Sequence, residues 1–507
     1  MAGEVEKRSA IWSRDWAGAL CCGGLVLVFF AALLSHNPLL FWNDDYELSI
    51  LPVFADVARS WSEGNLPLLS PYSWVCGNLA GEFQYGTFSV FVNAAVVAIW
   101  KLPLSFPQQA AALSLAHLFV LAAGGYLLGR ERKLEAPLAV MVALIAALSG
   151  WMVCWGATDW FGALGAFAWL PWAWWGAERA LDPGRGRGRF LWPAPFVYLL
   201  VTGGFPYTVV MLGLLFGWLA LRALTQTRSL SAVLPLLVGT VLGFGLAAPA
   251  WMALLDYMSG SARQTQESAS HWQWLVPVTA WPGLVLPAWT VPWADFSTRL
   301  TSHTATELAA GLVAPAALVY GLLAEGRLLV RRMRWELGLL LVVVVLTMLP
   351  TASVFRWSFR WLPFLHLVLA LVAAEALQNS RQRSARWNPA ILSIALLLLA
   401  GFAMWLTNSG GPYGVRTLLA LLVIGALWAA LQSTRARAWA PASVTFLSLL
   451  ATYLCIPPNG GVPKYNLDQN LVRPAPLDPE RLYFSVYPAP EYSYRLEANP
   501  APFGLVI

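Results

Sequence analysis

Charged residues are scarce in this chain of 507: Lys, Arg, Asp and Glu make up 11% of it, against 58% hydrophobic. That shortage excludes an ordinary soluble fold, which cannot hide so much apolar surface, whereas a bilayer can solvate it. Cysteine is sparse too. The five Cys form no Cys-x-x-Cys pair and the five His no His-Glu-x-x-His, so no zinc site is expected. The first apolar run is too long for a signal peptide, and no small-residue cleavage site follows it. The net charge of +6 is of the sign that nucleic acid attracts, but the basic residues lie in short clusters between apolar runs. Such clustering marks membrane topology rather than a phosphate-tracking face, and no nucleic-acid partner is expected. No strong repeat at a fixed period is present.

What is present is a series of apolar runs. The first covers 17–36, and others fall near 108–129, 136–154, 160–178, 190–203, 206–224, 230–250, 305–324, 336–351, 358–377, 389–406, 413–432 and 440–456. They predict an all-α polytopic membrane protein with about thirteen transmembrane helices. Thr87–Leu102 is also apolar, but short and interrupted by Lys101 and Pro103, and is expected to be an interfacial or re-entrant half-helix. With it left out, every even-numbered connection is basic, from Arg130/Arg132/Lys133 to Arg435/Arg437. The N-terminus is then cytoplasmic and the C-terminus outside. The transmembrane domain is placed at 1–456, with a first outer loop at 37–107 in which 56–64 is read as a short surface helix. The remaining 457–507 is a short outer tail, with a candidate strand at 482–487. The tail stops abruptly at Phe503-Gly504-Leu505-Val506-Ile507, and a truncated end is expected. A second outer stretch, 251–303, is rich in Trp and Pro and is expected to lie on the membrane surface.

The acidic residues gather at the outer face. Asp44, Asp45 and Glu47 follow the first span in Phe41-Trp42-Asn43-Asp44-Asp45-Tyr46-Glu47. Transfer to a hydroxyl needs a carboxylate within hydrogen-bond reach of it, and neighbouring carboxylates raise one another's pKa or recruit a divalent cation, Mg or Mn. Asp159, in the short turn Trp155-Gly156-Ala157-Thr158-Asp159-Trp160, is a second acid on that face, expected to position a donor or to share a metal with Asp45; its plain alternative is a helix cap. Arg356 and Arg360 stand four apart and are expected to share a helical face. Guanidinium forks pair with phosphate oxygens, though arginines at this depth also snorkel to headgroups. Arg263 is a further outer cation. Cys76 and Cys154 both fall outside, as a disulfide or, in the preferred reading, as two thiols. His117 and His366, within spans, are read as packing residues.

Four stretches resemble the GT-C superfamily of membrane glycosyltransferases, and within it the YfhO-like bacterial membrane proteins. They are Asn43-Asp44-Asp45 continuing through Ser49, Pro52 and Phe54; Leu66-Pro67-Leu68-Leu69-Ser70-Pro71-Tyr72 leading to Cys76-Gly77-Asn78; Ser149-Gly150-Trp151 with Ala168-Trp169-Leu170-Pro171; and Phe355-Arg356-Trp357-Ser358-Phe359-Arg360-Trp361. The resemblance covers most of 15–380. It implies a hexosyl- or pentosyltransferase with a catalytic Asp in the first outer loop, Asp45 by its distance from Pro52, or else Asp44. It further implies a polyprenyl-phosphate-sugar donor, a cell-envelope glycan, lipid or protein acceptor, and residence in the bacterial cytoplasmic (inner) membrane. The rival expectations are a transporter or flippase, and a non-catalytic binder of lipid-linked saccharides. Transporters place charge at mid-membrane on broken helices, whereas here the acids cluster at the outer face.

Overall fold

The computed structural model describes residues 2–42, 45–70, 77–259, 261, 268–289, 305–380, 388–410 and 413–455, and these are almost entirely helical. The helices are α1 (Ala2–His36), α2 (Leu51–Ser62), α3 (Val90–Trp100), α4 (Phe106–Glu131), α5 (Ala136–Leu148), α6 (Phe161–Phe167), α7 (Leu170–Leu181), α8 (Ala194–Val201) and α9 (Pro206–Thr227). After them come α10 (Leu234–Leu246), α11 (Ala248–Met258), α12 (Val313–Glu325), α13 (Arg327–Arg332), α14 (Arg334–Met348), α15 (Leu362–Ser380), α16 (Pro389–Thr407), α17 (Gly414–Leu431) and α18 (Ala440–Cys455). Proline punctuates them. Pro52, Pro107, Pro137, Pro171, Pro206 and Pro389 all stand in the first turn of a helix, where the missing N–H has no partner to lose and the fixed φ suits the helix.

A helix lies in each of the thirteen expected stretches, yet length and composition support fewer crossings. Six of the described helices are long and apolar enough to span a membrane: α1 from Arg14, α4, α9, α15 with its preceding turn, α16 and α17. The number becomes seven if α10 and α11, bent by 65° at their junction, count as one span. The others are short because the sequence breaks them. Leu148 runs into Ser149-Gly150, and Pro171 starts a new helix just after α6 ends. The protein is thus a multi-pass membrane protein, and six or seven of its described helices reach the length and composition of a span on their own. Between Ser89 and Lys101, α3 is a half-helix of 11 residues, about 16 Å long and too short to cross.

Burial sorts the spans. In α15 and α4, 89% and 72% of the apolar window is buried inside the protein, against 33% in α16 and α17. The first two form the centre with α5 and α12. The last two leave Leu399, Trp405 and Val423 exposed, as residues facing hydrocarbon should be.

The basic connections carry more than topology. Arg132, just past α4, meets Glu178 of α7 at 3.0 Å and Glu375 of α15 at 2.7 Å, and also contacts Glu336 of α14. Arg222 of α9 meets Glu178 at 2.6 Å and Glu336 at 3.7 Å. All five side chains are mostly buried, so the cluster ties five segments together at the end where α4 terminates. Nearby, Glu131 holds Arg179 at 2.9 Å and Arg185 at 2.6 Å.

Candidate active site

Asp45 is the N-terminal flank of a π-turn, Tyr46–Ile50, that runs directly into α2, and Ser49 Oγ donates to its carbonyl at 3.1 Å. A second π-turn, Met152–Gly156, lies between α5 and α6 and delivers Asp159. Such wide turns are uncommon and recur at functional sites. A hydrogen-bond chain joins the two. The Tyr46 phenol donates to Ser114 Oγ of α4, and Ser114 in turn donates to the Ala157 carbonyl at 2.7 Å. Tyr46 and Ser114 are fully buried, so central α4 fixes the first outer loop against the second turn.

A cavity of about 280 Å³ opens over this junction. One wall is Asp45, Ser49 and Ile50, and a second is Gln84 and Tyr85 from the short turn Phe83–Tyr85. Trp160 to Ala163 supply the start of α6, and Gly204 and Phe205 the turn before α9. Arg356, Trp357 and Arg360 close it. Burial pushes the Asp45 carboxyl up to about 6, although Arg360 and then Arg356 pull the other way. One carboxylate and two guanidiniums therefore act on one another within a single pocket.

The arginines do not share a helical face as expected. Trp357 adopts a left-handed backbone, φ +66°, and Ser358–Trp361 is a short 3₁₀ turn. The chain reverses at Trp357, and that reversal brings both guanidiniums to the cavity. Aromatic faces hold them: Arg356 lies 3.7 Å from the Trp357 ring centroid, and Arg360 4.5 Å from Trp357 and 4.6 Å from Trp160. The floor requires glycine. Gly204 has φ +105°, and a Cβ at Gly162 would stand 2.7 Å from the Gln84 carbonyl and 2.9 Å from that of Gly204. Because those obstacles are backbone, Gly162→Ala is expected to destabilise the protein by about 1–3 kcal/mol, measurable as a lowered unfolding midpoint in lipid.

Asp159 is buried, at 3% exposure, and does not line the cavity. It is close enough to Tyr46 to help raise that phenol's pKa, after burial itself. The solvated helix cap is thus replaced by a buried acid behind the pocket wall. Asp44 and Arg263 lie outside the described residues, as do Cys76, His303, the Glu47 side chain and the stretch after Cys455, with its candidate strand. Cys154 is a free, half-buried thiol. His117 packs edge-on between Phe91 and Phe161, and His366 bonds the Leu308 carbonyl at 3.3 Å, both in packing roles. Among the described residues no three His, Cys, Asp or Glu gather in a way that fits a metal ion. A lone described carboxylate flanked by two guanidiniums suits an anion better than a cation.

The described part of the Trp-rich outer stretch, 268–289, packs on the protein: Trp289 is buried and donates to the Thr279 carbonyl at 2.9 Å, and only Trp272 is strongly exposed, at 66%, among its described tryptophans. Indole N–H groups find partners there that lipid tails could not offer.

Sequence reasoning missed Gln84, Tyr85 and Trp160 as lining residues, because nothing local marks a turn that pocket walls assemble around. Glu307 was also missed. It is buried before α12, and its Oε2 has no hydrogen-bond partner among the described residues. An acid inside the expected span 305–324 was the available signal.

Comparison with known proteins adds little at the level of residues. No protein-family model matches this chain. No curated protein matches it either. Among solved structures it is similar to ArnT from Cupriavidus metallidurans bound to undecaprenyl phosphate, at 13% identity and a TM-score of 0.48, over 85% of this chain and 77% of that one. The apo state of the same protein gives 14% identity and a TM-score of 0.47, over 85% and 76%. Neither likeness assigns a role to any residue here.

Proposed function

We propose that this protein is a GT-C-type, YfhO-like membrane glycosyltransferase that moves one sugar from a polyprenyl-phosphate carrier to an acceptor on the extracytoplasmic face. The observation that carries the reading is the single cavity shared by Asp45, Arg356 and Arg360. In this reading Asp45 takes the proton from the acceptor hydroxyl, the acceptor oxygen bonds to the anomeric carbon, and the bond from that carbon to the phosphate oxygen breaks. The carrier leaves with added negative charge on its phosphate. Arg356 and Arg360, held in place by aromatic faces, meet that charge as it develops, and cations positioned in advance lower the barrier. Asp159 supports the wall behind Tyr46, Glu47 is kept as a donor-positioning residue, and Asp44 remains the alternative base. Arg263 is a third candidate for the carrier phosphate.

The basic connections support a cytoplasmic N-terminus in the inner membrane of a bacterium, with membrane lipids around the spans and the acceptor drawn from the cell envelope. A divalent cation would need Asp44 and Glu47 beside Asp45. Transfer unchanged by EDTA removes that expectation.

The test is sugar transfer from a panel of polyprenyl-phosphate sugars by purified protein in lipid. Arg356→Ala and Arg360→Ala are each expected to lower turnover by roughly 10²-fold. Unchanged turnover in both would end the phosphate assignment. Carrier binding by the wild type without transfer to any acceptor would replace the enzyme by a carrier-binding protein or flippase.

A further inference from the structure

The two arginines are half-buried, and besides the packing of Trp160 on Trp357 their loop is tied down from the Trp-rich stretch. Segment 271–276 of the Trp-rich stretch is stapled to the end of α14 and to the chain between α14 and α15. Val276 N–H donates to the Thr347 carbonyl at 3.0 Å, Thr351 N–H to the His271 carbonyl at 3.1 Å, and Phe359 N–H to the Trp274 carbonyl at 3.2 Å. Trp357 Nε1 also donates to Gln273 Oε1 at 3.3 Å. At the centre, Trp274 and Trp357 stack with ring centroids 4.0 Å apart and planes 24° apart. Both tryptophans have left-handed backbones, φ +53° and +66°. Residues with a Cβ avoid that region unless their surroundings hold them there, and such held conformations gather at functional sites. Trp357 is the ring under both guanidiniums, whereas Trp274 does not line the cavity.

We infer that Trp274 is a positioning residue: by stacking on Trp357 it holds Arg356 and Arg360 toward the cavity, so the Trp-rich outer loop acts as a strap for the anion-binding pair. The inference deepens the transfer reading for its kinetic consequence, while the placement of the arginines stands apart from it. The experiment uses the full chain in lipid nanodiscs with Trp274→Leu, Trp274→Phe and, as control, Trp272→Ala in the exposed neighbour. Phenylglyoxal modification of Arg356 and Arg360 is followed by peptide mass spectrometry, with exposed Arg437 as internal reference.

Loss of the stack in Trp274→Leu is expected to raise labelling of both arginines about three- to tenfold, the range of one aromatic pair. Trp274→Phe restores the wild-type rate and Trp272→Ala keeps it. In the transfer assay, KM for the polyprenyl-phosphate sugar rises in Trp274→Leu by a similar factor, and Trp274→Phe recovers it. Equal labelling in the Leu and Phe variants, or no change in either, overturns the inference. Changed labelling in a protein that transfers no sugar leaves the strap standing and sinks the transfer reading. Transfer with unchanged labelling does the reverse.

Discussion

Asp45→Asn is expected to yield a folded protein that still binds its lipid donor but transfers sugar about 10²–10⁴ times more slowly, the usual worth of a positioned general base. The amide keeps the size of the carboxyl and cannot accept the acceptor's proton. Wild-type kcat/KM should fall tenfold per pH unit on the acid side of about 6, because the base works only when ionised and burial sets its pKa there. The sign of the arginine effect follows. Arg360 and Arg356 favour the charged carboxylate, so Arg360→Ala should move the acid limb to higher pH as well as lower its plateau. Stability answers in the opposite sense. A carboxyl whose folded pKa is raised favours the fold fully below its unfolded value, and loses that contribution as pH rises through about 6. Asp45→Asn should therefore raise the unfolding midpoint at pH 8 relative to wild type, and do so less at pH 5. A midpoint lowered at both values would mean that misfolding caused the lost activity.

Class was legible in the sequence because hydropathy acts over whole segments, while the site depends on joints that hydropathy does not see. The apolar runs and the interruption at Lys101 and Pro103 placed the helices and the half-helix α3. They could not show that Ser149-Gly150 and Pro171 would break the helices. Asp45 drew attention because acids cluster at that face and the arginine pair because outer arginines are few, and the structure brings all three to one cavity. Their route there was hidden. A helical repeat was expected to align Arg356 with Arg360, whereas a left-handed Trp357 does so. Gln84 and Tyr85 reach the pocket through the glycine contacts at 162 and 204, which link segments about 80 and 120 residues along and leave no periodic trace. Asp159 was legible as a residue and misplaced as a surface, since burial behind Tyr46 depends on the fold of α4.

Arg132→Ala is the change expected to damage the fold most without touching the cavity. Arg132 contacts Glu178, Glu336 and Glu375, and with it gone Arg222 alone faces the first two while Glu375 keeps no other ion-pair partner among the described residues. Removing one partner of a buried ion cluster costs about 3–5 kcal/mol, because the charge left behind has already lost its water. Arg132→Lys should recover part of that: it restores the charge but not a fork able to meet three carboxylates at once. Arg222→Ala should cost less than Arg132→Ala, since Arg132 still reaches both of its carboxylates, and the double variant should be less than additive because the two share those partners. Unfolding midpoints in lipid measure all four. Ser114, which anchors the active-site turns, and Arg132 are separated by roughly 27 Å of helix α4 at 1.5 Å per residue, so protein that remains folded at low temperature should keep its KM for donor. A raised KM there would mean that the ion cluster also sets the geometry of the cavity, through α4, which carries Ser114, and α15, which follows the arginine turn and carries Glu375. An unchanged KM with a lowered midpoint would confine the cluster to holding the helices together.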